Sequence, residues 1–167
     1  DDLLEASKAS TGNLTVNAEP CDVGVLLDQT LGEYGEKLSA AGLEPVLTKP
    51  EKPVIIMADG RHMWRIFDNL LNNICKYSQR GTRVYLEVCE RDGKAVVTFR
   101  NISSRQLNIS SDELMERFVR GDSSRNTEGS GLGLNIAQSL AQLQKGTMEL
   151  TVDGDLFKVT LTFDVVK

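Results

Sequence analysis

Two turn signals constrain most of what this chain can fold into. Arg91-Asp92-Gly93-Lys94 separates alternating apolar runs at residues 83–89 and 95–99, and Asp153-Gly154-Asp155 separates runs at 147–152 and 157–163. Asp and Gly tolerate the positive φ of tight turns whose twist matches paired strands, so each stretch predicts an antiparallel hairpin. A chain holding two such hairpins must build a sheet. Its alternation leaves one apolar face that other elements have to cover.

The cover is read from helical spacing. Met63, Phe67, Leu70 and Ile74 recur at three and four residues and predict a long helix over residues 60–78. Asp22 is placed to cap a helix carrying Leu26, Leu27, Leu31, Tyr34 and Leu38, which Gly42 closes. A further helix is expected over 131–143, and Ser111-Asp112 can cap a short one ending near Phe118. Short strands are expected at 44–47 and 54–57, with an edge strand at 14–16. Residues 1–10 predict the end of a helix, which Thr11-Gly12-Asn13 breaks. No repeat and no regular βαβ rhythm is present. The expected fold class is α+β, a two-layer α/β sandwich with a mixed, mostly antiparallel sheet covered on one face by helices.

Composition bounds the function. The 167 residues are 40% hydrophobic and 26% charged, as in ordinary soluble domains, and the formal net charge is -5. Lys and Arg are scattered apart from Arg117, Arg120 and Arg125, which argues against a nucleic-acid partner. Three cysteines at wide spacing, Cys21, Cys75 and Cys89, argue against a metal site or disulfide scaffold and for a reducing cytosol. No apolar run reaches the length of a membrane span.

The residues that carry chemistry fall in two places. On the predicted 60–78 helix, Asn69, Asn73, Lys76 and Tyr77 stand at i, i+4, i+7 and i+8 and share one face beside the apolar stripe. An uncharged polar strip at the edge of the core suits a cleft. There Asn73 offers an amide oxygen to Mg²⁺, Lys76 a mobile charge to phosphate, and Tyr77 a flat face to a base or sugar. The alternative is an amphipathic helix whose polar side holds two amides. The second place is Gly129-Ser130-Gly131-Leu132-Gly133-Leu134, which opens the next helix with free N–H groups and a favourable dipole for phosphate. It fits neither a dinucleotide fingerprint nor a P-loop. Between them lies a polar stretch, 120–128, in which Arg120 can swing onto a terminal phosphate above an anchor at Phe118. Asn101 follows the 95–99 run and either accepts from an adenine amino group or caps a turn.

In order and spacing these motifs resemble the catalytic ATP-binding domain of bacterial sensor histidine kinases, in the superfamily that also holds DNA gyrase and heat-shock chaperone ATPases. Residues 68–78, Asp-Asn-Leu-Leu-Asn-Asn-Ile-Cys-Lys-Tyr-Ser, resemble the asparagine box, Glu116-Arg-Phe-Val-Arg120 the phenylalanine box, and Gly129 to Leu134 the second glycine box. The resemblance implies a Bergerat-type fold, with ATP and Mg²⁺ as cofactors. It implies Asn73 as the Mg²⁺ ligand, Asn69 as a supporting contact, Lys76 and Arg120 at phosphates, and Tyr77 near the adenosine. It also implies that residues 1–10 are the remnant of a dimerisation helix and 11–167 the catalytic domain. One box departs: the family's Asp-x-Gly-x-Gly, whose Asp holds adenine, is here Asn101-Ile-Ser-Ser-Arg.

The superfamily's hydrolases carry a water-activating Glu four residues before the metal-binding Asn, and here that position is Asn69, which cannot take a proton. The expected function is therefore transfer of the terminal phosphoryl group from ATP to a histidine, in two-component signalling. The sole histidine, His62, lacks an acidic neighbour and is expected to be structural. The acceptor is expected upstream of Asp1, on the protein's own dimerisation helix, with a response regulator as the downstream partner. The chain itself is expected to be a monomer and a cytoplasmic piece of a membrane-anchored sensor. An anti-sigma-type serine kinase and a non-catalytic nucleotide-binding domain are the alternatives.

Overall fold

The computed structural model describes residues 15–104 and 132–166. Along the chain run β1 (Glu19–Asp22), α1 (Val23–Ala40), β2 (Glu44–Thr48), β3 (Ile55–Ala58), α2 (Gly60–Tyr77), β4 (Arg83–Arg91) and β5 (Lys94–Ile102). After residues 105–131 come α3 (Leu132–Leu143), β6 (Thr147–Asp153) and β7 (Leu156–Asp164). The helix end expected at 1–10 and the short helix expected from Ser111-Asp112 to near Phe118 lie outside the described residues.

Both hairpins form where the turn residues stand. Asp92 and Gly93 both take positive φ, 54° and 77°, the mirror-image turn that suits a right-handed strand twist. It joins β4 to β5 with Arg91 opposite Lys94. Gly154, at φ 63°, turns β6 into β7 with Asp153 opposite Leu156. The hairpins meet along β5 and β7, and β2 adds to β4 in parallel, giving a five-stranded sheet of order β2-β4-β5-β7-β6. The parallel pair requires a crossover, and α2 lies in that crossover. The sheet is thus mixed and mostly antiparallel.

Alternation decides which face is covered. Val84, Leu86 and Val88 of β4, Val97 and Phe99 of β5, and Val159 and Leu161 of β7 are buried against the helices. Phe67 of α2 meets Phe99 of β5 with ring centroids 5.8 Å apart and tilted by 41°. Burying such side chains contributes about 1.5–3 kcal/mol each. Capping follows the sequence: Asp22 Oδ1 accepts from Val25 N–H at 3.2 Å, and Gly42 takes φ 72° after the last turn of α1.

One element forms elsewhere than the sequence predicts. The edge strand expected at 14–16 does not form at Thr15 or Val16, and Leu14 lies outside the described residues. The strand is β1, which starts five residues further on and pairs only with β3 in a separate two-stranded sheet. Residues 15–17 run past the end of β3 and bond to side chains instead. Asn17 N–H donates to Asp59 Oδ2 at 3.0 Å, and the Thr15 carbonyl lies 2.8 Å from His62 Nε2. No described helix is long and apolar enough to cross a membrane.

Candidate nucleotide site

The polar strip of α2 forms a gradient from core to solvent. Asn69 is 8% exposed, Asn73 and Tyr77 are half-buried, and Lys76 is exposed. The back of the helix is fixed beside the strip, where Tyr34 Oη donates to Asp68 Oδ1 at 2.5 Å. Burial, then that bond, raises the Tyr34 pKa well above its ordinary value. Asn69 Nδ2 is buried and has no hydrogen-bond partner.

The end of α2 is stitched to the end of β5. Gln79 N–H donates to the Ile102 carbonyl at 2.7 Å, Ser104 N–H to the Tyr77 carbonyl at 2.8 Å, and Ser78 and Ser103 form a bridge. Asn101 therefore comes against Ser78, and its Nδ2 donates to Ser78 Oγ at 2.8 Å. The sequence pattern ends the strand near Phe99, with Asn101 at its end as an adenine contact or a turn cap. The structure corrects this: β5 continues to Ile102, and Asn101 pairs with Phe157 inside the sheet at 4% exposure. The turn-cap alternative fails for that reason. Asn101 Oδ1 is buried without a partner.

The third side of the site is the start of α3. Gln144, just past the end of α3, accepts from Asp59 N–H through Oε1 at 2.7 Å, and its Nε2 lies 3.8 Å from Met63 Sδ. The end of α3 thus meets the beginning of α2, and the two packed helices run in opposite directions. Twelve residues of helix span about 18 Å. That brings the first turn of α3, where Leu132, Gly133 and buried Leu134 stand, level with the later turns of α2. Phe118, Arg120, Gly129, Ser130 and Gly131 lie outside the described residues.

At the far end of α2, Asp59 caps the helix, accepting from Arg61 N–H at 3.0 Å. Burial pushes its carboxyl up, but the amides of Asn17 and Arg61, the Arg61 guanidinium and His62 outweigh it and hold the pKa below the usual aspartate range. His62 is lodged between Thr15 and Asp59, a structural position as its sequence context predicts. Among the described residues no group of three or more His, Cys, Asp and Glu comes together as a metal site. A cleft of about 660 Å³ lined by Ser39, Glu44, Thr82, Arg83 and Tyr85, among others, opens elsewhere and holds none of Asn69, Asn73, Lys76 and Tyr77.

Two buried amide atoms without partners, the donor Asn69 Nδ2 and the acceptor Asn101 Oδ1, thus stand at either end of the last nine residues of α2. Native interiors leave few such atoms, and each calls for a ligand, water or ion. The arrangement suits an extended ligand that brings acceptor oxygens to Asn69 and a donor to Asn101. Sequence reasoning did not single out Ser78, because its side chain gains a role only when β5 closes on the helix end.

Comparison with known proteins identifies the family and the fold. The family model described as "Histidine kinase-, DNA gyrase B-, and HSP90-like ATPase" matches residues 58–167. The signal transduction histidine-protein kinase BaeS of Escherichia coli (strain K12) is 29% identical over 93% of this chain and 37% of its own length. The probable sensor protein PcoS of Escherichia coli is 33% identical over 98% of this chain and 35% of its own length. The chain therefore spans little more than a third of either relative. The solved histidine kinase AdeS of Acinetobacter baumannii superposes with a TM-score of 0.80 at 20% identity, over 99% of this chain and 76% of that one, which establishes the shared fold.

Proposed function

The chain belongs to the family of histidine kinase-, DNA gyrase B- and HSP90-like ATPases, and we propose that it binds Mg-ATP along α2 and donates the terminal phosphoryl group to a histidine on a dimerisation helix of the same protein. The observation that carries the reading is the pair of partnerless buried amide atoms, Asn69 Nδ2 and Asn101 Oδ1, flanking half-buried Asn73 and exposed Lys76.

The donor set fits the nucleotide and its metal. Mg²⁺ favours oxygen ligands and keeps waters and phosphate oxygens around it, so one amide oxygen from Asn73 suffices as a protein ligand. When bound, the ion neutralises charge on the phosphates. Asn69 Nδ2 donates to a phosphate or water oxygen and relieves its own burial without a partner. Lys76 and Arg120 meet the phosphates, and the N–H groups of Gly129, Ser130, Gly131, Leu132, Gly133 and Leu134 receive them at the start of α3. Tyr77 packs near the adenosine, Phe118 anchors the stretch that carries Arg120, and Asn101 Oδ1 accepts from the adenine amino group. In-line phosphoryl transfer depends on positioning and charge neutralisation rather than on a base in this domain. Asn69 offers no carboxylate to activate water, which favours transfer over hydrolysis.

In the whole protein this domain would act within a two-component system, with a response regulator as the next acceptor and a membrane-anchored sensor as its setting. Two measurements test the reading. Titration calorimetry should show Mg-ATP binding that Asn73→Ala weakens by about tenfold or more. The full-length protein, given γ-labelled ATP, should accumulate acid-labile, alkali-stable phosphate on a histidine. Absence of ATP binding to the wild-type chain overturns the proposal.

A further inference from the structure

The contact between Asn101 and Ser78 has chemistry that a carboxylate in the same place would lack. Both residues are held by their backbones. Asn101 is locked in β5 opposite Phe157, and Ser78 donates its N–H to the Ile74 carbonyl at 3.1 Å and bridges to Ser103. Neither can withdraw, but the amide of Asn101 can rotate about its last side-chain bond. Ser78 Oγ accepts from Asn101 Nδ2 as the structure stands. A hydroxyl also donates, so after a half-turn of the amide the same Oγ bonds Asn101 Oδ1 instead, and nothing is lost between the two residues.

We propose that Asn101 and Ser78 form a reversible hydrogen-bonding edge that admits 6-oxopurine as well as 6-aminopurine nucleoside triphosphates. The inference rests on the Mg-nucleotide reading above and adds the base class. In the orientation observed, Oδ1 is the amide atom left without a partner, and as an acceptor it suits a 6-amino group. In the rotated one Nδ2 is free and donates to a 6-oxo group. An aspartate there has acceptors only, and sets lone pairs against the 6-oxygen, which is how a buried site rejects the wrong base. The amide removes that rejection and buries no charge.

The test compares Mg-ATP with Mg-ITP, which differ at the purine 6-position and the protonation of N1, by titration calorimetry on the wild-type chain and on Asn101→Asp. The wild type should bind ITP within about tenfold of ATP, and Asn101→Asp should widen the preference for ATP to about a hundredfold or more by losing ITP. If the variant does not fold, the wild-type ratio decides alone. ATP bound with ITP weaker by a hundredfold overturns this inference and leaves the Mg-ATP reading intact. An unchanged ratio in a folded Asn101→Asp overturns it as well. Binding of neither nucleotide overturns both.

Discussion

Gln144 and Asp59, 85 positions apart in sequence, meet through a buried hydrogen bond of 2.7 Å from the Asp59 N–H to the Gln144 Oε1. The bond joins the end of α3 to the beginning of α2 and so sets how far α3 extends along the polar strip. Gln144→Leu leaves the Asp59 N–H buried without an acceptor, and unfolding in urea should show a loss of about 1–3 kcal/mol. Phosphate affinity should fall with it, because the first turn of α3 loses its register against α2.

The same Asp59 predicts a pH dependence. Its folded pKa lies below the ordinary aspartate value of about 3.9. Stability from this group is therefore present above that value and lost as the pH falls through the folded pKa. Denaturation curves collected downward from neutral pH should lose stability less steeply in Asp59→Asn than in the wild type. Asparagine keeps the cap on α2 but carries no charge to protonate.

Asn69 should separate stability from binding. Its Nδ2 is buried without a partner, so Asn69→Leu removes an unsatisfied donor and should leave the unfolding free energy unchanged or raised by about 1 kcal/mol. Calorimetric affinity for Mg-ATP should nevertheless fall by about tenfold or more. A variant that is destabilised and binds normally would show that the amide serves the fold alone.

Phe67 and Phe99 link the helix layer to the sheet at the centre of the core, both at 1% exposure or less. Phe67→Ala should cost about 3–5 kcal/mol, from the lost burial and the cavity left behind. Phe67→Leu, which keeps most of the volume, should cost clearly less. Thermal or chemical unfolding of the two variants side by side checks the order.

The fold class was legible because its signals are local. Asp92-Gly93 and Gly154 impose their turns whatever surrounds them, and the spacing of Met63, Phe67, Leu70 and Ile74 fixes the buried side of α2. Asp22 capped α1 and Gly42 ended it for equally short-range reasons. The edge strand was misplaced because pairing, not propensity, decides an edge: residues 19–22 had β3 beside them and residues 15–17 did not. In the candidate site, the strip of Asn69, Asn73, Lys76 and Tyr77 followed from helical period alone. Which of its amides is buried, and which lacks a partner, did not.

The sequence by itself thus determined the hairpins, the three described helices and the one face of α2 that carries amides, since each depends on residues a few positions apart. Only the tertiary structure decided that Asn101 lies inside β5 rather than in a turn, that Ser78 holds its amide, and that Gln144 turns α3 back along α2. Those contacts span 23 and 85 positions. A hydrogen bond at such separation depends on how whole elements stack, and no local pattern records it.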